Sequence, residues 1–111
     1  MALSPIAGDQ VRLYVDEQPL VQQSVCAVAD DAIVVGILSE PIFSRSEREA
    51  FVKTLAQSVR ERFGKPVYVT LDTDLYYRIS KCGDADAENI RAIAKLIAQR
   101  SANGYARSDR T

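Results

Sequence analysis

From Ala32 to Leu38 the chain reads AIVVGIL, with no polar side chain in the run. It is far shorter than the roughly 18 to 20 apolar residues that cross a membrane, and its length is that of a strand. A strand that is apolar at consecutive positions is either covered on both faces or central in its sheet. Gly36 in its middle lets a neighbouring backbone come close.

The flanking segments supply partners for this strand. Val21 to Ala29 alternates, with Val25, Ala27 and Ala29 on one face and Cys26 and Val28 on the other, and Asp30-Asp31 joins the two runs as a turn. Such a two-residue connection more commonly uses Asn-Gly or Asp-Gly. Ser39 to Phe43, containing Pro41, is a loop leading to a capping box, Ser44 with Glu47 three residues on. The hydroxyl accepts from a free helix amide while the glutamate reaches back to the amide of the cap residue. Phe51, Val52, Leu55, Ala56, Val59 and Phe63 then form one stripe of a helix, with Arg48, Lys53, Gln57, Arg60 and Glu61 outside it. Gly64 ends it in a left-handed conformation.

Val67, Val69 and Leu71 alternate with Tyr68, Thr70 and Asp72, the period of a half-buried strand. Asp72-Thr73-Asp74 caps a short turn or helix bearing Leu75, Tyr76, Tyr77 and Ile79, and Asp84 or Asp86 starts a last helix with Ile90, Ile93, Ala94 and Ile97 on one face. Ahead of the hairpin, Val11, Tyr14 and Val15 have helical spacing, Asp9 is placed to cap and Pro19 stops the pattern. The order is α-β-β-α-β-α. It predicts an α+β fold, a small mixed three-stranded sheet with helices packed on one face. Residues 9–100 form one domain, with flexible ends at 1–8 and 101–111. The expected core is Val25, Val28, Ile33, Val35, Ile37, Leu55, Val59, Val67, Val69, Ile93 and Ile97.

Composition narrows the function. There is no histidine, so a Ser-His-Asp triad is excluded, and only an unaided Ser-Lys pairing stays open. Ser44 and Ser46 are better used in capping. Two cysteines, Cys26 and Cys82, are too few for a zinc site. A disulfide between them would need Cα atoms within about 7 Å and an oxidising compartment. The simpler reading makes Cys26 a small buried strand residue and Cys82 a loop residue before Gly83. The 14 basic and 15 acidic side chains give a net charge of −1, which argues against nucleic acid as the main partner. The five glycines are isolated, so no phosphate-cradling loop is present. Asp30-Asp31 and Asp72/Asp74 read as turn and helix-start residues before they read as acid-base pairs or calcium ligands. Tyr68, Tyr76, Tyr77 and Phe63 near Arg78 and Lys81 suggest a base-stacking surface, but the stronger reading has one of Tyr76 and Tyr77 sealing the core and the other at the surface. The chain is expected to be non-enzymatic, without cofactor or metal. The start MALSPIAGD shows no signal-peptide pattern.

The hairpin AVADDAIVVGI, the helix ending VRERFGK and the segment PVYVTLDTDLYYRI resemble the YhcN/YlaJ family of sporulation lipoproteins, over roughly Asp9 to Lys81. Thr73 stands where that family commonly has proline, and neither Cys26 nor Cys82 corresponds to its lipid-accepting cysteine. The α-β-β-α-β order also resembles the ring-building motif of sporulation and secretion channels, a likeness of fold alone. The resemblance implies a sporulation- or germination-associated module at the spore envelope or an extracytoplasmic membrane surface. It would work through protein partners or self-association, with membrane contact only through a lipid anchor absent from this chain. Asp72, Asp74, Tyr76, Tyr77 and Arg78 are the candidate interaction residues. The alternative is a cytoplasmic, KH-like nucleic-acid-binding or ribosome-associated module, although the GXXG loop of such modules is missing.

Overall fold

The computed structural model describes residues 8–42, 44–83 and 86–100. Helix α1 (Gly8–Asp16) leads into strands β1 (Val21–Val28) and β2 (Ile33–Ser39), followed by helix α2 (Arg45–Phe63) and strand β3 (Val67–Thr70). Two further helices, α3 (Thr73–Ser80) and α4 (Ala87–Arg100), close the chain. The class is α+β with a mixed three-stranded sheet, in the order α-β-β-α-β-α-α. Of the expected flexible ends, Gly8 is instead buried at the start of α1, and 1–7, 101–111 and Asp84 lie outside the described residues.

The sheet order is β1-β2-β3. β1 and β2 are antiparallel, with Val28 opposite Ile33 and Val25 opposite Gly36, and Ala29 N–H donates to Ala32 O at 2.8 Å to close the Asp30-Asp31 turn. β2 and β3 are parallel, with Ile33 beside Val67 and Gly36 beside Thr70. The apolar run is therefore the central strand.

Both faces of the sheet are covered, which corrects the expectation of helices on one face only. Val28, Ile33, Val35, Ile37 and Val69 point to α1 and α2, where they meet Val11, Val15, Leu55 and Val59. Ala27, Ala29 and Val34 point the other way, against Leu75 and Ile79 of α3 and Ile90, Ile93 and Ile97 of α4. The reason is that α3 and α4 each carry an apolar stripe that needs burial, and the first face is already filled by α1 and α2. Of the expected core, Val25 and Val67 are half-buried and the others are buried.

Local chemistry sets the element ends. Ser44, in extended backbone at the N-cap of α2, accepts from Glu47 N–H at 3.2 Å, which is one half of the capping box. Gly64 follows α2 with φ 73° and its N–H donates to Arg60 O at 2.8 Å, the left-handed stop. Asp86 starts α4: its carbonyl accepts from Ile90 N–H and its carboxylate from Asn89 N–H. Asp9 lies inside the first turn of α1, where it faces Arg12 at 3.8 Å. Ser24 on β1 donates to Asp16 at 2.6 Å and so fixes the end of α1 to the strand.

Gly36 is where the second face comes closest. A Cβ built there would lie 3.0 Å from Tyr76 Cα and 3.1 Å from Val25 Cγ2. Backbone meets backbone at that point, so α3 seats against the sheet only because position 36 has no side chain.

Candidate functional site

The acidic and aromatic segment from Asp72 to Arg78 leaves β3 and turns at once into α3. Thr70 Oγ1 accepts from Asp72 N–H at 3.1 Å, and the carbonyl of Asp72 accepts the first helical bond, from Tyr76 N–H at 2.9 Å. Asp72 holds the N-cap position of α3, but its side chain makes no cap bond. Its carboxylate accepts instead from Arg100 Nη1 at 2.7 Å, while Arg100 also reaches Asp74, Nη2 to Oδ2 at 3.1 Å. One guanidinium at the end of α4 thus joins both aspartates at the start of α3. The expected capping role of Asp72 gives way to this fork, because a charge-assisted bond to a guanidinium is the stronger use of a carboxylate.

The electrostatics follow from that geometry. The Arg100 guanidinium, by hydrogen bond and then by charge, holds the Asp74 carboxyl below its ordinary value, and the two aspartates in turn raise Arg100. Asp74 is thereby held in its ionised form and is not poised as a general acid.

Helical rotation separates the remaining candidates. Tyr76 turns inward with Leu75 and Ile79 and packs against Gly36, and burial pushes its hydroxyl upward in pKa, with Tyr77 and Asp16 adding to the effect. Tyr77 turns outward and is 58% exposed. Its ring stands edge-on to Tyr76, with centroids 5.6 Å apart and planes at 89°. Arg78 is exposed beside it. Asp72, Asp74, Tyr76, Tyr77 and Arg78 therefore do not converge: two are engaged by Arg100, one is core, and two are at the surface.

Asp31 of the hairpin turn has a structural partner as well. Arg91 Nε donates to both oxygens of Asp31 at 3.2 Å and so ties α4 to the hairpin turn. Cys26 packs on the α1/α2 face and Cys82 on the α3/α4 face, so the sheet lies between them and they are not bonded to each other. Among the described residues no group of three or more His, Cys, Asp or Glu side chains is placed to hold a metal ion, and no helix is long and apolar enough to cross a membrane.

Two surface features were not expected from the sequence. Leu20, after Pro19, has φ 71° and is 47% exposed, and its carbonyl accepts from Glu40 N–H at 2.8 Å. A left-handed leucine costs about 1 to 3 kcal/mol, offset here by its neighbours. It borders an apolar groove of about 530 Å³ with Pro41, Ile42 and Phe51. The second feature is a groove of about 710 Å³ along the outer edge of β3, between Lys53, Gln57 and Arg60 of α2 and the strand residues Val67 and Tyr68. No local pattern in the run KPVYVT marks it as an edge, and only the strand order reveals it. Compared with known proteins, the chain matches no family model, no curated protein and no solved structure.

Proposed function

We propose that this chain is a non-enzymatic association module of the spore envelope, akin to the sporulation lipoproteins that its sequence resembles, acting in spore formation or germination through contact with protein partners. The observation that carries the reading is the split of the tyrosine pair on α3. Tyr76 anchors in the core and holds Tyr77 edge-on at the surface, 58% exposed, next to Arg78. An outward tyrosine steadied by a buried one loses little freedom on binding, and tyrosine and arginine are the side chains most often found at the energetic centre of protein interfaces. The fork of Arg100 on Asp72 and Asp74 supports the same reading, since it makes the best carboxylate pair of the chain a structural tie.

The test is made in an endospore former carrying the fluorescently tagged chain. Localisation to the developing spore, with complexes recovered by crosslinking that weaken in Tyr77→Ala while the melting temperature falls by less than about 5 °C, is the expected result. A diffuse signal, or a large loss of stability with complexes unchanged, would overturn it.

A further inference from the structure

Among the described residues the sheet ends at β3, and no further strand pairs with its far edge. Ile33 N–H donates to Pro66 O at 2.9 Å, and Ile33 and Val35 stand beside Val67 and Val69 in the parallel ladder. That phase turns the main-chain groups of Tyr68 and Thr70 toward β2 and those of Val67 and Val69 away from it. No other main-chain group among the described residues bonds Val67 or Val69. An edge in this state is a template for another extended chain.

The walls of the edge are cationic. Lys53 and Arg60 line the α2 side, with Glu61 as the one acid among the described lining residues there. Across Tyr68, α4 contributes Arg91 and Lys95. Arg91 is neutralised by Asp31 at 3.2 Å, whereas Lys53, Arg60 and Lys95 face no carboxylate within ion-pair distance among the described residues.

We propose that the β3 edge binds an extended acidic segment of a partner protein by strand addition. The main chain of the segment pairs with Val67 and Val69, and its carboxylates meet Lys53, Arg60 and Lys95. Charge complementarity selects this occupant over a second copy, because β1 (VQQSVCAV), β2 (IVVGILS) and β3 (VYVT) contain no acidic residue to offer those cations. The inference rests on the association reading above but not on Tyr77, which lies on α3.

The probe is a capped hexapeptide of alternating glutamate and valine, followed by NMR of the chain. It should shift the amides of 67–70 and the side chains of Lys53, Arg60 and Lys95, and weaken as salt rises from about 50 to 500 mM because the walls are exposed. N-methylation of its alternate amides should abolish binding, since strand addition depends on main-chain hydrogen bonds. Combining Lys53→Glu, Arg60→Glu and Lys95→Glu should weaken it by about tenfold or more and favour a lysine-valine peptide. Val67→Pro removes an outward N–H without cutting the ladder to β2, and should lose binding while the fold persists. The proposal is overturned by no binding at low salt, by binding indifferent to N-methylation or charge reversal, by single-stranded RNA displacing the peptide, or by self-association through this edge. Peptide failure with Tyr77→Ala still weakening spore complexes would remove this surface alone and leave the association reading standing.

Discussion

The two faces of the sheet are filled in opposite ways. Under α1 and α2 the sheet itself supplies the bulk, with Val28, Ile33, Val35, Ile37 and Val69 meeting valine and leucine from the helices. Under α3 and α4 the buried sheet residues are Ala27, Ala29 and Val34, with Gly36 beside Tyr76 and with Val25 and Tyr68 only partly buried, and the buried bulk comes from the helices as Leu75, Ile79, Ile90, Ile93 and Ile97. A sheet face of small residues resembles a face left to solvent when read along one strand. Here it is the face that a helix approaches most closely, because small residues are what close approach requires.

If both faces are core, truncation should cost the same on either. Leu75→Ala on the second face and Leu55→Ala on the first, with Leu75 fully buried and Leu55 4% exposed, should each lower unfolding free energy by about 2 to 5 kcal/mol in a single transition. Chemical denaturation checks this. An added first transition in Leu75→Ala, with the α1/α2 face surviving it, would make the second face an appendage.

Gly36 sharpens the contrast further. Gly36→Ala should cost about 1 to 3 kcal/mol by overpacking, and combining it with Tyr76→Ala should not restore the loss. The nearest atom is the Tyr76 Cα at 3.0 Å, which the second substitution leaves in place. Recovery in the double variant would show that the ring, and not the helix backbone, sets the approach.

The smallest effect is the tie between α3 and α4. In an acid titration followed by carboxyl NMR, Asp74 should protonate below its ordinary range, and Arg100→Gln should return it there. Its folded value is depressed, so the stability it contributes is present above the unfolded value and is lost as pH falls through the folded one. The variant should lose that acid sensitivity and little else, since the pair is exposed.

Much of this architecture was legible along the chain. The apolar run announced a strand either covered on both faces or central in the sheet, Gly36 a close backbone approach, Ser44 and Gly64 the ends of α2, and the Tyr76-Tyr77 pair one inward and one outward ring. The expectation of a single covered face took only the second of the two readings AIVVGIL left open, a central strand, while the stripes Leu75/Tyr76/Ile79 and Ile90/Ile93/Ile97 required somewhere to pack. Other features depend on tertiary placement. Arg100 lies 28 residues from Asp72 and 26 from Asp74, so the fork exists only once α4 packs beside α3. Leucine is not a residue that favours a left-handed backbone, so nothing but Pro19 marked Leu20. The open edge of β3 follows from the order β1-β2-β3, which no local pattern encodes.

The claim that ties fold to function is that β3 keeps one side of its main chain unpaired, and amide hydrogen exchange in the chain alone tests it most directly. Tyr68 and Thr70, whose amides face β2, should be protected nearly to the level of global unfolding, while Val67 and Val69 in the same strand exchange much faster and slow only when the acidic peptide is added. Equal protection of all four amides without peptide would contradict the account.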